Sequence, residues 1–217
     1  MCIDPLHAKS ILGKTPITRP TSMKTLNALI ATCLVLAAPQ VFAQAKNFEG
    51  FSLGGRLDAS NSTTHVLNVG SDSGSSSGMG LQAQYSIALN HQFVLGLGAS
   101  YGLWDRKAGS LGNPATDYTT RNALSFDISP SYALSDSVLV FGKVSSVGLT
   151  LLSTAAGIET SDSLSGIGYG LGVRSMIDKN IYIQAGYDIN RYNEKTNTGN
   201  TFSGSTNIFS LGAGFKF

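Results

Sequence analysis

The chain has 217 residues, of which 25 are Gly and 13% are charged, about half the charged share of an ordinary soluble domain. A hydrophobic content of 42% excludes a disordered polyelectrolyte, and a mean hydropathy of +0.08 excludes a multi-pass helical membrane protein. The net charge of +2 comes from the leader, where Lys9, Lys14, Arg19 and Lys24 are opposed only by Asp4. The rest of the chain is slightly acidic and gives no indication of a nucleic-acid partner.

The pattern of the first 43 residues predicts that the protein is exported. From Met23 the chain has a positive residue, Lys24, then an apolar run over 28–38, and then Val41-Phe42-Ala43, which ends on a small residue. This is the pattern of a cleaved secretory signal peptide, and the run is shorter than the roughly 20 residues of a membrane-spanning helix. We therefore predict a signal peptide at 23–43 and interpret residues 1–22 as an extension upstream of the true start. A short buried helix is the alternative.

Both cysteines, Cys2 and Cys33, fall within this leader. The exported part is therefore expected to have no disulfide, no thiolate metal site and no cysteine nucleophile. Lipid attachment at Cys33 is disfavoured, because Thr32 stands where a small Gly, Ala or Ser would be expected. The protein is predicted to be exported and to fold without covalent cross-links.

From residue 48 onwards, apolar and polar residues alternate with a period of two, which predicts β-strands. In the fifth strand the apolar positions change parity after Val144, and this change predicts a bulge near Ser145 or Ser146. The eight predicted strands are 51–58, 79–89, 93–103, 124–132, 137–152, 167–174, 181–189 and 209–217.

The connections between these strands alternate in length. Tight turns follow the second, fourth and sixth strands, whereas the links at 59–78, 104–122, 153–164 and 191–205 are long and polar. Long links at one end and tight turns at the other predict an all-β, eight-stranded antiparallel up-and-down barrel. In an outer membrane the turns of such a barrel face the periplasm and the long loops face outside. This one domain covers 48–217.

The same alternation would suit a soluble lipocalin-type barrel with its apolar side chains inside. A soluble exterior should be rich in Lys and Glu, whereas the second face here consists mainly of Gly, Ser, Gln and Asn. We therefore predict that the second face lines a narrow lumen and that the apolar face contacts lipid. The alternative for the charges of the second face is an ordinary solvated surface. We expect these charges to pair in the lumen: Arg56, Asp58, Asp127, Lys143, Arg174, Asp188 and Lys216.

Aromatic residues near strand ends indicate the interfacial girdles of a membrane barrel. They are Phe51, Phe93, Trp104, Tyr118, Tyr132, Tyr192 and Phe217. The closing segment IFSLGAGFKF carries Phe209, Leu211, Phe215 and the terminal Phe217. It resembles the C-terminal assembly signal of bacterial outer-membrane proteins.

With this signal, the chain over about 48–217 resembles the small eight-stranded surface proteins of the OmpA-barrel, OmpX/Ail and opacity-protein group of the porin family. The resemblance implies a transmembrane barrel in the outer membrane of a Gram-negative bacterium. It implies contact with outer-membrane lipid and lipopolysaccharide, insertion by the outer-membrane assembly machinery, and a monomer.

The sequence offers little that predicts catalysis. The glycines of 166–172 alternate inside a strand with no following helix, so a phosphate-binding loop is disfavoured. His65 with Ser62 or Asp72 would be the nearest approach to the catalytic groups of lipid A-modifying barrels, but a solvated loop histidine is the simpler interpretation. Asp72 and Asp162 lack the ligand spacing of a calcium site. We predict no catalytic residue, no cofactor and no metal.

The function predicted is therefore that of a non-enzymatic surface protein. Its long polar loops would contact a host or environmental ligand, and its barrel would contribute to envelope structure. A narrow passive pore for ions or small solutes is the first alternative, and a lipid A-modifying enzyme is the second. Loops that are merely solvated connectors, without any partner, are the plainest alternative.

Overall fold

The structure is a computed structural model, and it describes residues 44–66, 70–111, 116–155, 157–197 and 200–217. The predicted extension at 1–22 and the predicted signal peptide at 23–43 lie outside these described residues. A short 3-10 helix at Ala45–Phe48 precedes the strands. The strands of the described part are β1 Gly50–Val66, β2 Gly70–Ala88, β3 Phe93–Gly102, β4 Arg106–Leu111, β5 Thr116–Ala133, β6 Val138–Ala155, β7 Ile158–Met176, β8 Ile181–Asn197 and β9 Asn200–Lys216.

The strands form one antiparallel sheet with circular pairing. β1 pairs with β2 on one side and with β9 on the other, and β5 to β9 pair in chain order. β3 pairs directly with β5, from Phe93 opposite Tyr132 to Tyr101 opposite Leu124. The ring therefore contains eight strands, and β4 is a short additional partner of β5. The predicted all-β, antiparallel up-and-down architecture is confirmed.

The strands are longer than the alternation predicts, because the polar links are largely hairpin ladders. The link at 59–78 continues the pairing of β1 with β2 to Val66 opposite Gly70, and the link at 153–164 continues β6 with β7 to Ala155 opposite Ile158. The prediction of long loops there is wrong. Ser, Thr, Asn and Gly give no apolar alternation, but their backbones form ladders all the same, and hydroxyl pairs across the strands stabilise such ladders.

The predicted bulge at Ser145 or Ser146 is also wrong, since β6 pairs with β7 in one unbroken register. The irregularity lies on the neighbouring β5. Arg121 pairs with Thr150 and Leu124 with Gly148, so two residues of β5 oppose Leu149 alone. The apolar residues of β6 move from even-numbered to odd-numbered positions for a different reason. Val147, Leu149 and Leu151 are buried, because this part of the lumen is itself apolar.

The apolar face of the sheet is exposed and the second face is buried. Leu57, Phe126 and Leu171 are 58%, 59% and 66% exposed, so they are not the interior of a lipocalin-type barrel. On β1 the apolar positions run from Phe51 to Ala59, which at about 3.3 Å per residue and a tilt of about 40° gives a band roughly 20–25 Å tall. No helix among the described residues is long and apolar enough to cross a membrane.

Candidate functional site

A polar network fills the inner half of the lumen, next to the tight turns. Arg174 on β7 donates from Nη2 to the side-chain oxygens of Gln84, at 2.5 Å, and of Gln184, at 2.8 Å. Its guanidinium lies 4.4 Å from the centroid of the buried Tyr182 ring, a cation–π contact. A Cβ at Gly214 would collide with the Tyr182 hydroxyl, so the glycine makes room for the ring.

Further charges occupy the middle of the lumen and its inner rim. Lys143 and Asp188 form an ion pair at 2.9 Å, with side chains that are 16% and 8% exposed. Asp127 accepts a hydrogen bond of 2.7 Å from the hydroxyl of Ser129 rather than from a cation. Lys216, at the rim, donates to the backbone carbonyl of Glu49 at 3.2 Å.

The most deeply buried charges lie further out along the barrel. Asp58 has a fully buried side chain, and one of its oxygens, Oδ2, is shared by two arginines. Arg106 Nη2 donates to it, and Arg56 Nε lies 3.3 Å from it. The structure thus brings Arg56 to Asp58 and Lys143 to Asp188, and it adds Arg106, which sequence reasoning missed. Arg106 falls in a stretch without alternation, and only its inward position on β4 identifies it.

The short helix before β1 fills the inner end of the barrel. Ala45 and Phe48 are 0% and 2% exposed and pack with Val94, Ala133 and Leu139. The segment is also held by hydrogen bonds to the tight turns, from Gln44 N to Asp136 Oδ1 at 2.9 Å and from Ala45 N to His91 O at 2.9 Å. Sequence reasoning missed this plug, because four residues are too few to show a helical period.

An apolar cluster fills the outer half of the lumen. It consists of Ala108, Tyr118, Leu149, Leu151 and Leu164, with Ala123 and Tyr192 packed against it. The expectation that Tyr118 and Tyr192 belong to an interfacial girdle is therefore wrong, because both rings face the interior. Tyr118 and Tyr192 fall in segments that the sequence predicts to be polar links, so the alternation did not place their side chains inside the barrel.

The inner girdle does contain several of the expected aromatics. Phe93 and Tyr132 pack edge to face with ring centroids 5.1 Å apart. Phe217 lies 5.9 Å from Phe51 and 5.0 Å from Phe215, and its backbone N–H donates to the Phe51 carbonyl at 2.8 Å. The C-terminal aromatic residues thus lie at the seam where β9 meets β1, and Phe217 remains 68% exposed.

The strands continue beyond the apolar band as projecting hairpins. Here β4 packs against the inner face of the β1–β2 hairpin instead of extending β3 beside β2. Thr64 donates to the Ala108 carbonyl at 3.2 Å, and Ser110 N–H donates to Asp72 Oδ2 at 2.8 Å. The backbone N–H groups of Ser110 and Ser73 lower the pKa of Asp72 below its ordinary value of 3.8, since they stabilise the carboxylate.

Because β4 lies inside, part of β2 has one free edge. β2 pairs with β3 only from Gly80 onwards, so within the described residues no strand pairs with 70–78 on the side away from β1. The Leu103 N–H donates to the Met79 carbonyl, so the odd-numbered backbone groups of β2 point toward that side. Those of Ser71, Ser75 and Ser77, together with the Ser73 carbonyl, therefore form an open strand edge, whereas the Ser73 N–H is bonded to the Asp72 carboxylate.

The residues considered for catalysis do not converge. His65 is exposed on the outer face of β1, whereas Ser62 on the same strand faces inward and bonds to Thr206 at 3.0 Å. Asp72 is engaged with the backbone of Ser110. In the part of the chain that the structure describes, no three His, Cys, Asp or Glu residues are grouped so that they could hold a metal ion.

Comparison with protein families matches residues 29–217 to the outer membrane protein beta-barrel domain. Comparison with curated proteins finds no match. Among solved structures, Neisserial surface protein A is 18% identical, with a TM-score of 0.52 over 78% of this chain and 100% of its own. Ail of Yersinia pestis is 18% identical, with a TM-score of 0.49 over 78% of this chain and 99% of its own. OprG of Pseudomonas aeruginosa is 13% identical, with a TM-score of 0.48 over 82% and 99%.

Proposed function

Because the chain belongs to the outer membrane protein β-barrel family, and so lies in the outer membrane of a Gram-negative bacterium, we propose that it is a non-enzymatic surface protein that presents a β-sheet edge to extracellular polypeptides. The rest of the barrel is a closed support with a structural role in the envelope. The open edge of β2 over 70–78 carries this proposal.

This edge is suited to strand addition by an extended peptide. The free N–H groups of Ser71, Ser75 and Ser77 lie beyond the apolar band, and the small Gly and Ser residues of this segment leave the backbone accessible. Natural edge strands are commonly protected by Lys, Pro or a covering element, and the odd positions from Ser71 to Ser77 have neither of these residues. Main-chain hydrogen bonds would supply the affinity, and the exposed serine side chains would contact alternate residues of the partner.

Ser75→Pro tests the edge directly, because it removes one outward N–H without breaking the ladder to β1. A phage-displayed library of ten-residue peptides is panned against the protein in lipid nanodiscs. We expect selected peptides to bind the Ser75→Pro variant about five-fold more weakly, as loss of one hydrogen bond of about 1 kcal/mol predicts. Ser75→Thr, which keeps the N–H, is the control and should bind as the wild type does. Equal binding to Ser75→Pro, or no enrichment of peptides at all, would contradict the proposal.

The contents of the lumen argue against the alternative of a passive pore. The inner end holds the helix at Ala45–Phe48, the middle holds ion pairs, and the outer half holds the apolar cluster. We expect no reproducible ohmic steps from the purified protein in planar bilayers. Such steps, if they disappeared in a variant with an enlarged side chain in the lumen, such as Ser145→Trp, would favour the pore instead.

The outer rim supports a further part of the proposal, contact with lipopolysaccharide. Arg191 is exposed directly above the apolar band, next to Ile189 on β8, at the level where lipid phosphates would lie. The ring of strands closes within the band, through β1 with β9 and β3 with β5, so no membrane-embedded edge calls for a second copy. We therefore propose a monomer, inserted by the outer-membrane assembly machinery.

A further inference from the structure

We propose that the lumen binds a monatomic anion, such as chloride, in a small cavity between Arg56 and Arg106. The cavity has a volume of about 40 Å³ and lies between the inner polar network and the outer apolar cluster. Both arginines line it, whereas the one carboxylate that they share, Asp58, does not.

The charges around the cavity do not balance. Arg56 and Arg106 contribute two positive charges, and Asp58 compensates only one of them. Asp188 also lines the cavity, but Lys143 neutralises it at 2.9 Å. An excess charge in an interior of low dielectric costs several kcal/mol unless a counter-charge accompanies it. A bound anion would supply that counter-charge.

The two guanidinium groups also have unused hydrogen-bonding capacity. The side chains of Arg56 and Arg106 are 11% and 6% exposed. Among the described residues, Arg106 Nε has no hydrogen-bond partner, and Arg56 Nε is 3.3 Å from Asp58 Oδ2 without forming a hydrogen bond to it. Buried donors of this kind are nearly always satisfied in folded proteins. Gly78 and Gly80 leave the space that the guanidinium groups occupy, since a Cβ at Gly78 would lie 2.7 Å from Arg106 Nε and one at Gly80 3.1 Å from Arg56 Nε.

Hydroxyl groups complete the lining. Ser62 pairs with Thr206 at 3.0 Å, and Ser100 pairs with Ser125 at 2.7 Å. The Ser100–Ser125 pair uses one O–H as its donor, so its second O–H remains available to an acceptor in the cavity. Guanidinium and hydroxyl donors together suit an anion. One water-sized position needs roughly 10–15 Å³, so the cavity accommodates a halide with a water or two but not a phosphate.

Bromide provides the test, because it can replace chloride and is visible by anomalous diffraction. The full barrel is refolded in sodium bromide, so that the ion can enter before the lumen closes, and is then crystallised. We expect an anomalous peak between Arg56 and Arg106 in the wild type and none in Arg106→Met, which leaves Arg56 and Asp58 as a neutral pair. A peak that persists in Arg106→Met marks an adventitious ion only, and the absence of a peak in the wild type marks water only. Either result overturns the proposal.

Unfolding by urea gives a second readout in solution. At constant ionic strength, replacing gluconate with chloride should raise the urea concentration at which half of the wild type is unfolded. A ligand that binds only the folded state stabilises that state. Arg106→Met should show no such rise. Arg174→Met is the matched control, since Arg174 is equally buried but outside this cavity and satisfied by Gln84 and Gln184, and it should retain the rise. Equal responses in the wild type and Arg106→Met would overturn the proposal.

Discussion

Replacing Asp58 with asparagine should lower the free energy of unfolding by about 3–5 kcal/mol, the cost of removing one partner from a buried ion pair. The Asp58 side chain is fully buried and is the shared partner of Arg56 and Arg106. Without its charge, two guanidinium groups would face each other in the lumen. One bound halide would compensate only one of them, so a large destabilisation is expected in chloride and in gluconate.

Urea unfolding in lipid vesicles, followed by fluorescence of the single Trp104, measures this change. Asp117→Asn is the matched control, because Asp117 pairs with Lys107 at 3.8 Å while both side chains are 62% exposed. Such solvent-exposed pairs contribute between nothing and about 1 kcal/mol. If both variants lost the same small amount of stability, Asp58 would not be the centre of a buried ion cluster.

The membrane-spanning part of the fold was predictable because two requirements act on every residue there. The face in contact with lipid requires apolar side chains. The face that lines the narrow lumen requires small side chains or charged side chains that can form ion pairs. Leu53 and Leu57 on β1 therefore alternate with Gly54 and Arg56, and this alternation identified strands and faces correctly. The inward positions of Arg56 and Lys143 follow from the same parity.

Beyond the apolar band these requirements no longer apply, and there the sequence no longer predicted which segments form strands. Ser60 and Ser76 pair across β1 and β2, but neither has a side chain that distinguishes a strand from a solvated loop. The inward packing of β4 depends on contacts between residues far apart in sequence, such as Thr64 with Ala108. A period of two cannot reveal such contacts, and for this reason Arg106 and the free edge of β2 emerged only from the structure.

The plug and the apolar cluster show a related limit. Phe48 is one aromatic residue in a four-residue helix, and its burial depends on how Val94, Ala133 and Leu139 converge at the inner end. Leu149 and Leu151 were visible as an apolar parity change, but a bulge explained that change equally well from sequence. Only the pairing register of β6 with β7 separates the two interpretations.

Deletion of Phe217 should lower the amount of assembled barrel in the outer membrane several-fold while leaving refolding into lipid vesicles largely intact. In the folded barrel its loss removes one backbone hydrogen bond and two ring contacts, together about 1–3 kcal/mol. We propose that Phe209, Leu211, Phe215 and Phe217 also form the signal that the assembly machinery recognises. A defect confined to cells would therefore reflect lost recognition and not lost stability.

Heat-modifiable gel migration of membrane fractions measures assembly in cells, and the same gel measures refolding of the purified protein. Phe217→Ser keeps the chain length and should reproduce the defect, which separates loss of the ring from shortening of the chain. Ile158→Ser is the matched control, because Ile158 is similarly exposed, at 71%, but lies at the outer end of β7. Normal levels of heat-modifiable protein in both Phe217 variants would rule out the terminal signal, and equal defects in cells and in vesicles would assign Phe217 a purely structural role at the β1–β9 seam.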